Sequence, residues 1–153
     1  LNVAADNTAS SASAPSHRIF RYPVRISFGD CDPAGIVFYP NFFRWFDAAT
    51  HALFASVGQD TAQIAREHGL VAWPLVDAGA KFRAPARHGE TVEVQTRITE
   101  WRDKTFVLEH RIVRAETLIA EGWEIRFVGQ TVNDSPPRLR AVSIPAWMRQ
   151  ALD

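Results

Sequence analysis

"NFFRWFDAATHALFASVG" (residues 41–58) is apolar around most of its circumference when it is set on a helix. Phe42, Phe46, Ala49, Leu53 and Val57 follow the spacing of one helical face. Phe43 and Phe54 widen that face, with Thr50 between them. The polar residues form one narrow stripe, Arg44, Asp47 and His51. A helix with so little polar surface must be buried by the rest of the chain. Pro40 suits its first turn and Gly58 its C-terminal stop.

Working outward, the following residues supply the cover. Asp60–His68 reads as a short second helix, with Asp60 as cap, Gln63 in capping-box position and Gly69 at the end. Strand patterns come next: "LVAWPLVDAGAKF" (70–82), broken by Pro74, then "ETVEVQTRITEW" (90–101) and "KTFVLEHRIVR" (104–114). Val92, Val94, Thr96 and Ile98 alternate on one side, as do Phe106, Leu108, His110 and Ile112. Only Arg102 and Asp103 separate the last two runs, so they form a hairpin. "TLIAEGWEIRFVG" (117–129) places Ile119, Glu121, Trp123, Ile125 and Phe127 on one side. "RLRAVSIP" (138–145) adds a short edge segment, and Ala146–Leu152 a final turn or two of helix. Before the long helix, "IFRYPVRISF" (19–28) is β-like, with Pro23 marking an edge or strand start. One antiparallel sheet wrapped around one apolar helix is the compact α+β solution.

Composition narrows the function. The chain has 153 residues, enough for one domain with a sizeable core, and shows no internal repeat. Seventeen basic residues balance 17 acidic ones, so charge gives no sign of nucleic-acid binding. A single cysteine rules out a disulfide framework and points to a reducing compartment, the cytoplasm. No apolar run approaches the ~20 residues of a membrane span. Residues 1–18, "LNVAADNTASSASAPSHR", are Ala/Ser-rich, do not resemble a secretory signal and read as a flexible tail, leaving 19–153 as the domain. His17, His51, His68, His88 and His110 show no metal spacing.

Immediately before the helix lies "FGDCDPAGIVFYPNFFRW" (28–45), with Asp30 and Asp32 two residues apart and Asp32 held against Pro33. A helix start has free backbone N–H groups and a partial positive charge, so an acid there is either a cap or part of an active site. Cys31 lacks a convincing His partner and reads as a structural thiol. Asp47 can pair with Arg44 at i−3 or His51 at i+4, each worth about 0.2–0.5 kcal/mol on a helix surface.

The stretch 28–45 resembles the motif of the hotdog-fold acyl-CoA thioesterases, particularly the 4-hydroxybenzoyl-CoA thioesterase type. Weaker similarity continues through "KFRAPARHGETVEV" (81–94), "EWRDKTFVLEHRI" (100–112) and 138–145. The resemblance implies the hotdog fold, a sheet cradling a long central helix. It also implies homodimers or homotetramers that join sheets edge to edge, with active sites at the subunit interface. Unpaired edge strands favour such association independently. It implies Asp32 as the catalytic carboxylate, nucleophile or general base, and the Tyr39 amide as the donor that polarises the thioester carbonyl. Gly35 lets the backbone approach a ligand closely, and one oxyanion donor contributes roughly 3–4 kcal/mol in a closed site. Asp30 is expected in a supporting role. The same resemblance puts Asp47 at the distal end of the acyl pocket, accepting a hydrogen bond from a phenolic hydroxyl. It makes the Trp101–Thr105 turn, with Lys104 and Thr105, a cradle for CoA phosphates together with Arg138 and Arg140, whose cations suit phosphate oxygens. CoA is then part of the substrate and no separate cofactor is implied. A hotdog hydratase does not fit, because "DAATH" (47–51) has three residues between Asp and His where that branch has four. Trp73 and Asp77 depart from the small-residue pattern of the 4-hydroxybenzoyl-specific members. Trp73 either stacks on an aromatic acyl group or fills core volume. The expected activity is hydrolysis of an acyl-CoA thioester, an aromatic acyl group favoured. The alternatives are a broader short- or medium-chain acyl-CoA or acyl-carrier-protein thioesterase and a non-catalytic acyl-CoA binding module; Asp32 argues against the last.

Overall fold

The computed structural model describes residues 18–153, so the expected tail lies outside the described residues except for Arg18. The order is β1 (Phe20–Arg25), a 3-10 turn (Phe28–Asp30), α1 (Pro40–Ala55), α2 (Thr61–His68), β2 (Val71–Phe82), β3 (Thr91–Trp101), β4 (Thr105–Arg114), β5 (Thr117–Val132), β6 (Arg138–Val142) and α3 (Ala146–Gln150). The strands form one antiparallel sheet in the order β1-β3-β4-β5-β2, with β6 also paired to β5. The sheet curls around α1, which buries Phe42, Trp45, Phe46, Ala49, Thr50, Leu53 and Phe54. Each large apolar side chain among these contributes about 1.5–3 kcal/mol on burial. Among the described residues, no helix is long and apolar enough to cross a membrane.

Several local expectations are met and others corrected. Asp60 caps α2 by accepting from the N–H groups of Ala62 and Gln63, and Gly69 ends it at φ 63°. The Gln63 side chain does not complete a capping box; it donates to Glu67 Oε1 four residues on instead. Pro74 does not break β2. That strand is bonded only to β5, and register shifts between Ala72 and Leu75 and again before Asp77 accommodate the missing N–H.

The row Trp123, Ile125 and Phe127 on β5 faces away from α1, while Ala120, Gly122, Glu124, Arg126 and Val128 are buried. Gly122 is required by close packing: a Cβ there would come within 2.5 Å of the Phe46 ring and 2.8 Å of the Gly79 carbonyl oxygen. The sheet thus presents two charged residues to the helix. These residues split the core. One apolar cluster gathers Ile26, Val37, Phe42, Phe46, Val94 and Ile112. The other gathers Leu53, Phe54, Trp73, Ile98, Phe106 and Leu108. Between them run Thr50 on α1, Thr96 and His110, which pair across β3 and β4, and Glu124 on β5 opposite Leu108, all buried.

Candidate active site

Ser27 begins the acidic turn. Its backbone N–H and its hydroxyl both donate to Asp30 Oδ2, each at 2.8 Å. Arg44, one turn into α1, donates to Asp30 Oδ1 at 2.5 Å. The Asp30 carbonyl accepts from Phe38 N–H at 2.9 Å and from Asn41 Nδ2 at 2.8 Å. Asp30 therefore ties both ends of residues 31–37 to the start of α1. Burial pushes its carboxyl up, but the Ser27 donors and the Arg44 guanidinium outweigh burial and hold it below the usual range. Arg44 thereby serves Asp30, and the i−3 pair with Asp47 does not form.

Within that clamp, Gly35 N–H donates to the Asp32 carbonyl and Asp32 N–H to the Ile36 carbonyl, both at 2.9 Å. Pro33 occupies the second position of this turn, where its fixed φ fits, and Gly35 follows at φ +74°, a left-handed conformation that favours glycine. Asp32 Oδ1 accepts from Ala34 N–H at 2.8 Å, which orients the carboxylate. Asp32 Oδ2 has no partner among the described residues. At the other end of the turn, Asn41 N–H bonds the Phe38 carbonyl and Phe42 N–H the Tyr39 carbonyl. Pro40 has no N–H. The Tyr39 N–H is left without an acceptor among the described residues, at the positive end of α1.

A cavity of about 320 Å³ adjoins the turn, lined by Ile36, Val37, Phe42, Phe82, Ala84 and Ala86 among others. Asp32 itself is not on its wall. Tyr39, Phe82 and Phe42 form a chain of ring contacts beside it. Sequence reasoning did not single out Phe82 or Ala84; their strand-end position is the only signal they carry.

Of the remaining candidates, the hairpin with Lys104 and Thr105 and the strand with Arg138 and Arg140 follow one another along β5, where Thr105 pairs with Phe127 and Val142 with Val128; Trp73 and Asp77 lie on β2. Trp73 is 1% exposed and stacked on Phe54 with ring centroids 3.8 Å apart, so it fills core volume. Asp77 is exposed on β2. Lys104 is exposed in the β3–β4 hairpin and Thr105 half-buried where β4 begins. Arg138 and Arg140 lie on β6, engaged with Asp134 at 2.5 Å and Gln130 at 3.0 Å respectively. Trp101 is in the core, and Arg102 folds back on Glu100.

Asp47 has an unforeseen partner. Its Oδ1 accepts from Arg126 at 2.7 Å and lies 3.5 Å from His51 Nε2. Arg126 is gripped in turn by Glu124 through two 2.8 Å bonds. Thr50 also donates to Glu124, at 2.8 Å, and His110 Nε2 approaches to 3.3 Å without hydrogen-bond alignment. Burial opposes ionisation of Glu124, but the neighbouring His110 and Arg126 hold its carboxyl down at about 2.

A single antiparallel sheet wrapped on one buried helix, with a clamped acidic turn at the helix start, is the hotdog architecture that the sequence resemblance implies. Comparison with known proteins gives the family. The thioesterase-like superfamily model matches residues 26–152. The 4-hydroxybenzoyl-CoA thioesterase of Pseudomonas sp. (strain CBS-3) is 41% identical over 128 residues, covering 80% of this chain and 89% of that protein. A crystal structure of a mutant 4-hydroxybenzoyl-CoA thioesterase complexed with 4-hydroxybenzoyl-CoA superposes with a TM-score of 0.82 at 37% identity, covering 89% of this chain and 99% of that one. A gentisyl-coenzyme A thioesterase superposes at 0.73 with 34% identity, covering 86% and 98%. The chain belongs to the thioesterase-like superfamily, in its 4-hydroxybenzoyl-CoA thioesterase-like branch.

The charge state of Glu124 yields a pH prediction. Its folded pKa lies below the ordinary 4.5, so its contribution to stability is complete above about 4.5 and is lost as pH falls through about 2. Urea unfolding should show the midpoint falling steeply between those pH values. Glu124→Gln should be less stable at pH 7 and show a flatter acid limb. An acid limb identical to that of the wild type would contradict the assignment.

Proposed function

We propose that this protein hydrolyses a CoA thioester of a hydroxylated aromatic acid, with the Asp32 carboxylate and the Tyr39 N–H acting on the thioester carbonyl. The observation that carries this reading is a pair of groups without partners among the described residues, at the two ends of one clamped turn: Asp32 Oδ2 and the Tyr39 amide. In this reading the amide donates to the carbonyl oxygen. Negative charge develops there as the carbonyl carbon is attacked, and the α1 dipole favours it. Asp32 acts in one of two balanced ways. As nucleophile, Oδ2 bonds to the carbonyl carbon, the C–S bond breaks to release CoA thiolate, and water hydrolyses the resulting anhydride. As general base, it takes a proton from a water that adds to the same carbon, and CoA thiolate leaves. Asp30 shapes the turn and does not touch the reacting atoms. Asp47, half-exposed on α1, receives the acyl hydroxyl. The named relatives act on 4-hydroxybenzoyl-CoA and gentisyl-CoA, both hydroxylated aryl thioesters, which supports this choice of acyl group.

The working unit in this reading is a dimer or larger. The outer edge of β2 is unpaired among the described residues. Leu75 and Val76 on it are exposed, as are Phe82 at its end and Phe38 and Tyr39 on the adjoining turn. A second copy on this edge would cover these side chains and wall off the site from water.

Two measurements test these points. Asp32→Asn keeps the shape but removes the charge; kcat should fall by at least ~10²-fold while acyl-CoA still binds. A stable variant with near wild-type turnover would return the turn to a purely structural role. Sedimentation velocity at micromolar concentration should show a dimer or tetramer, and a fully active monomer would contradict a shared site.

A further inference from the structure

Arg126 does more than balance a buried acid. Its side chain is 3% exposed and every guanidinium nitrogen is engaged. Nε and Nη2 bond both oxygens of Glu124, Nη1 bonds the Trp73 carbonyl at 2.8 Å, and Nη2 also bonds Asp47 Oδ1 at 2.7 Å. The guanidinium is thus held by buried groups: the Glu124 carboxylate, 3% exposed, and the backbone carbonyl of Trp73, a residue 1% exposed. Its one outward contact is Asp47, whose side chain is 53% exposed. A carboxylate so exposed would ordinarily sample several rotamers. Here both close contacts fall on the same oxygen, since His51 also approaches Oδ1. Oδ2 is left with no partner among the described residues.

We propose that Arg126 is a positioning residue for substrate selection: it pins Asp47 by Oδ1 so that Oδ2 is presented as a fixed acceptor for a single hydroxyl on the acyl group. This rests on the hydroxyaryl-CoA reading above and adds to it the residue that enforces the choice. An acceptor held in advance favours the donor-bearing acyl group over its unsubstituted analogue, because no ordering is needed when the substrate arrives. A lysine cannot replace the guanidinium, since one ammonium cannot reach Glu124 bidentately, the Trp73 carbonyl and Asp47 together.

The test compares 4-hydroxybenzoyl-CoA with benzoyl-CoA on the intact protein. Arg126→Lys should raise KM for the hydroxylated thioester about tenfold more than for benzoyl-CoA, the scale of one hydrogen bond to a charged group. Asp47→Asn should lose the same discrimination, and combining the two substitutions should add nothing further. If Arg126→Lys does not fold, the pair Glu124→Gln/Arg126→Gln removes both buried charges together and carries the same comparison. A folded variant that weakens both substrates equally, or keeps wild-type discrimination while Asp47→Asn loses it, overturns the positioning role alone. Equal handling of the two thioesters by the wild type, unchanged in Asp47→Asn, overturns the Asp47 reading beneath it and the proposal with it.

Discussion

The buried ion pair between Glu124 and Arg126 fixes the middle of this molecule. Two opposite charges inside a protein are tolerated only when their remaining hydrogen-bonding capacity is met. Here it is met: Thr50 from the helix donates to the carboxylate, and the guanidinium reaches the Trp73 carbonyl on β2 and Asp47 on α1. The pair therefore bonds β5 to the strand on its outer side and to the helix above it. With Thr96 and His110, bonded to each other at 2.9 Å, it forms a polar belt between two apolar clusters. Apolar packing is non-directional. The belt supplies direction, since sliding α1 along the sheet by one turn would strand a buried charge.

The same constraint passes along α1 to the site. Its narrow polar stripe is occupied entirely by anchors. Arg44 reaches back to Asp30 and so holds the acidic turn, while Asp47 meets Arg126 and His51. Registering the helix on the belt also registers Arg44, and through Asp30 the frame around Asp32 and Tyr39. Within that frame the turn satisfies most of its own backbone groups; among the described residues Asp32 Oδ2 and the amides of Ile36 and Tyr39 have no partner.

Much of this was legible in the sequence, because periodicity and turn chemistry are local. The apolar circumference of residues 41–58 requires a covered helix, clean alternation marks β3 and β4, and "FGDCDPAGIVFYPNFFRW" (28–45) resembles the motif of the family. What was hidden depends on which side of a strand faces inward. Alternation on β5 shows that Trp123, Ile125 and Phe127 share a side; it does not show that Glu124 and Arg126 occupy the other, buried one. For the same reason Asp47 offered only Arg44 and His51 as partners, since Arg126 lies 79 residues away along the chain. Pro74 marked a break that a register shift on a strand bonded at one side absorbs. Trp73 could stack on a ligand or fill the core, and only packing against Phe54 shows the second.

The central claim is that the clamped turn is a thioester-hydrolysing site and not an acyl-CoA holder. The most direct measurement is thiol release from a panel of aryl- and alkyl-CoA thioesters by the purified protein. The account predicts release of free CoA, with kcat/KM highest for hydroxylated aromatic acyl groups. Binding of the thioesters with no thiol released from any of them would contradict it.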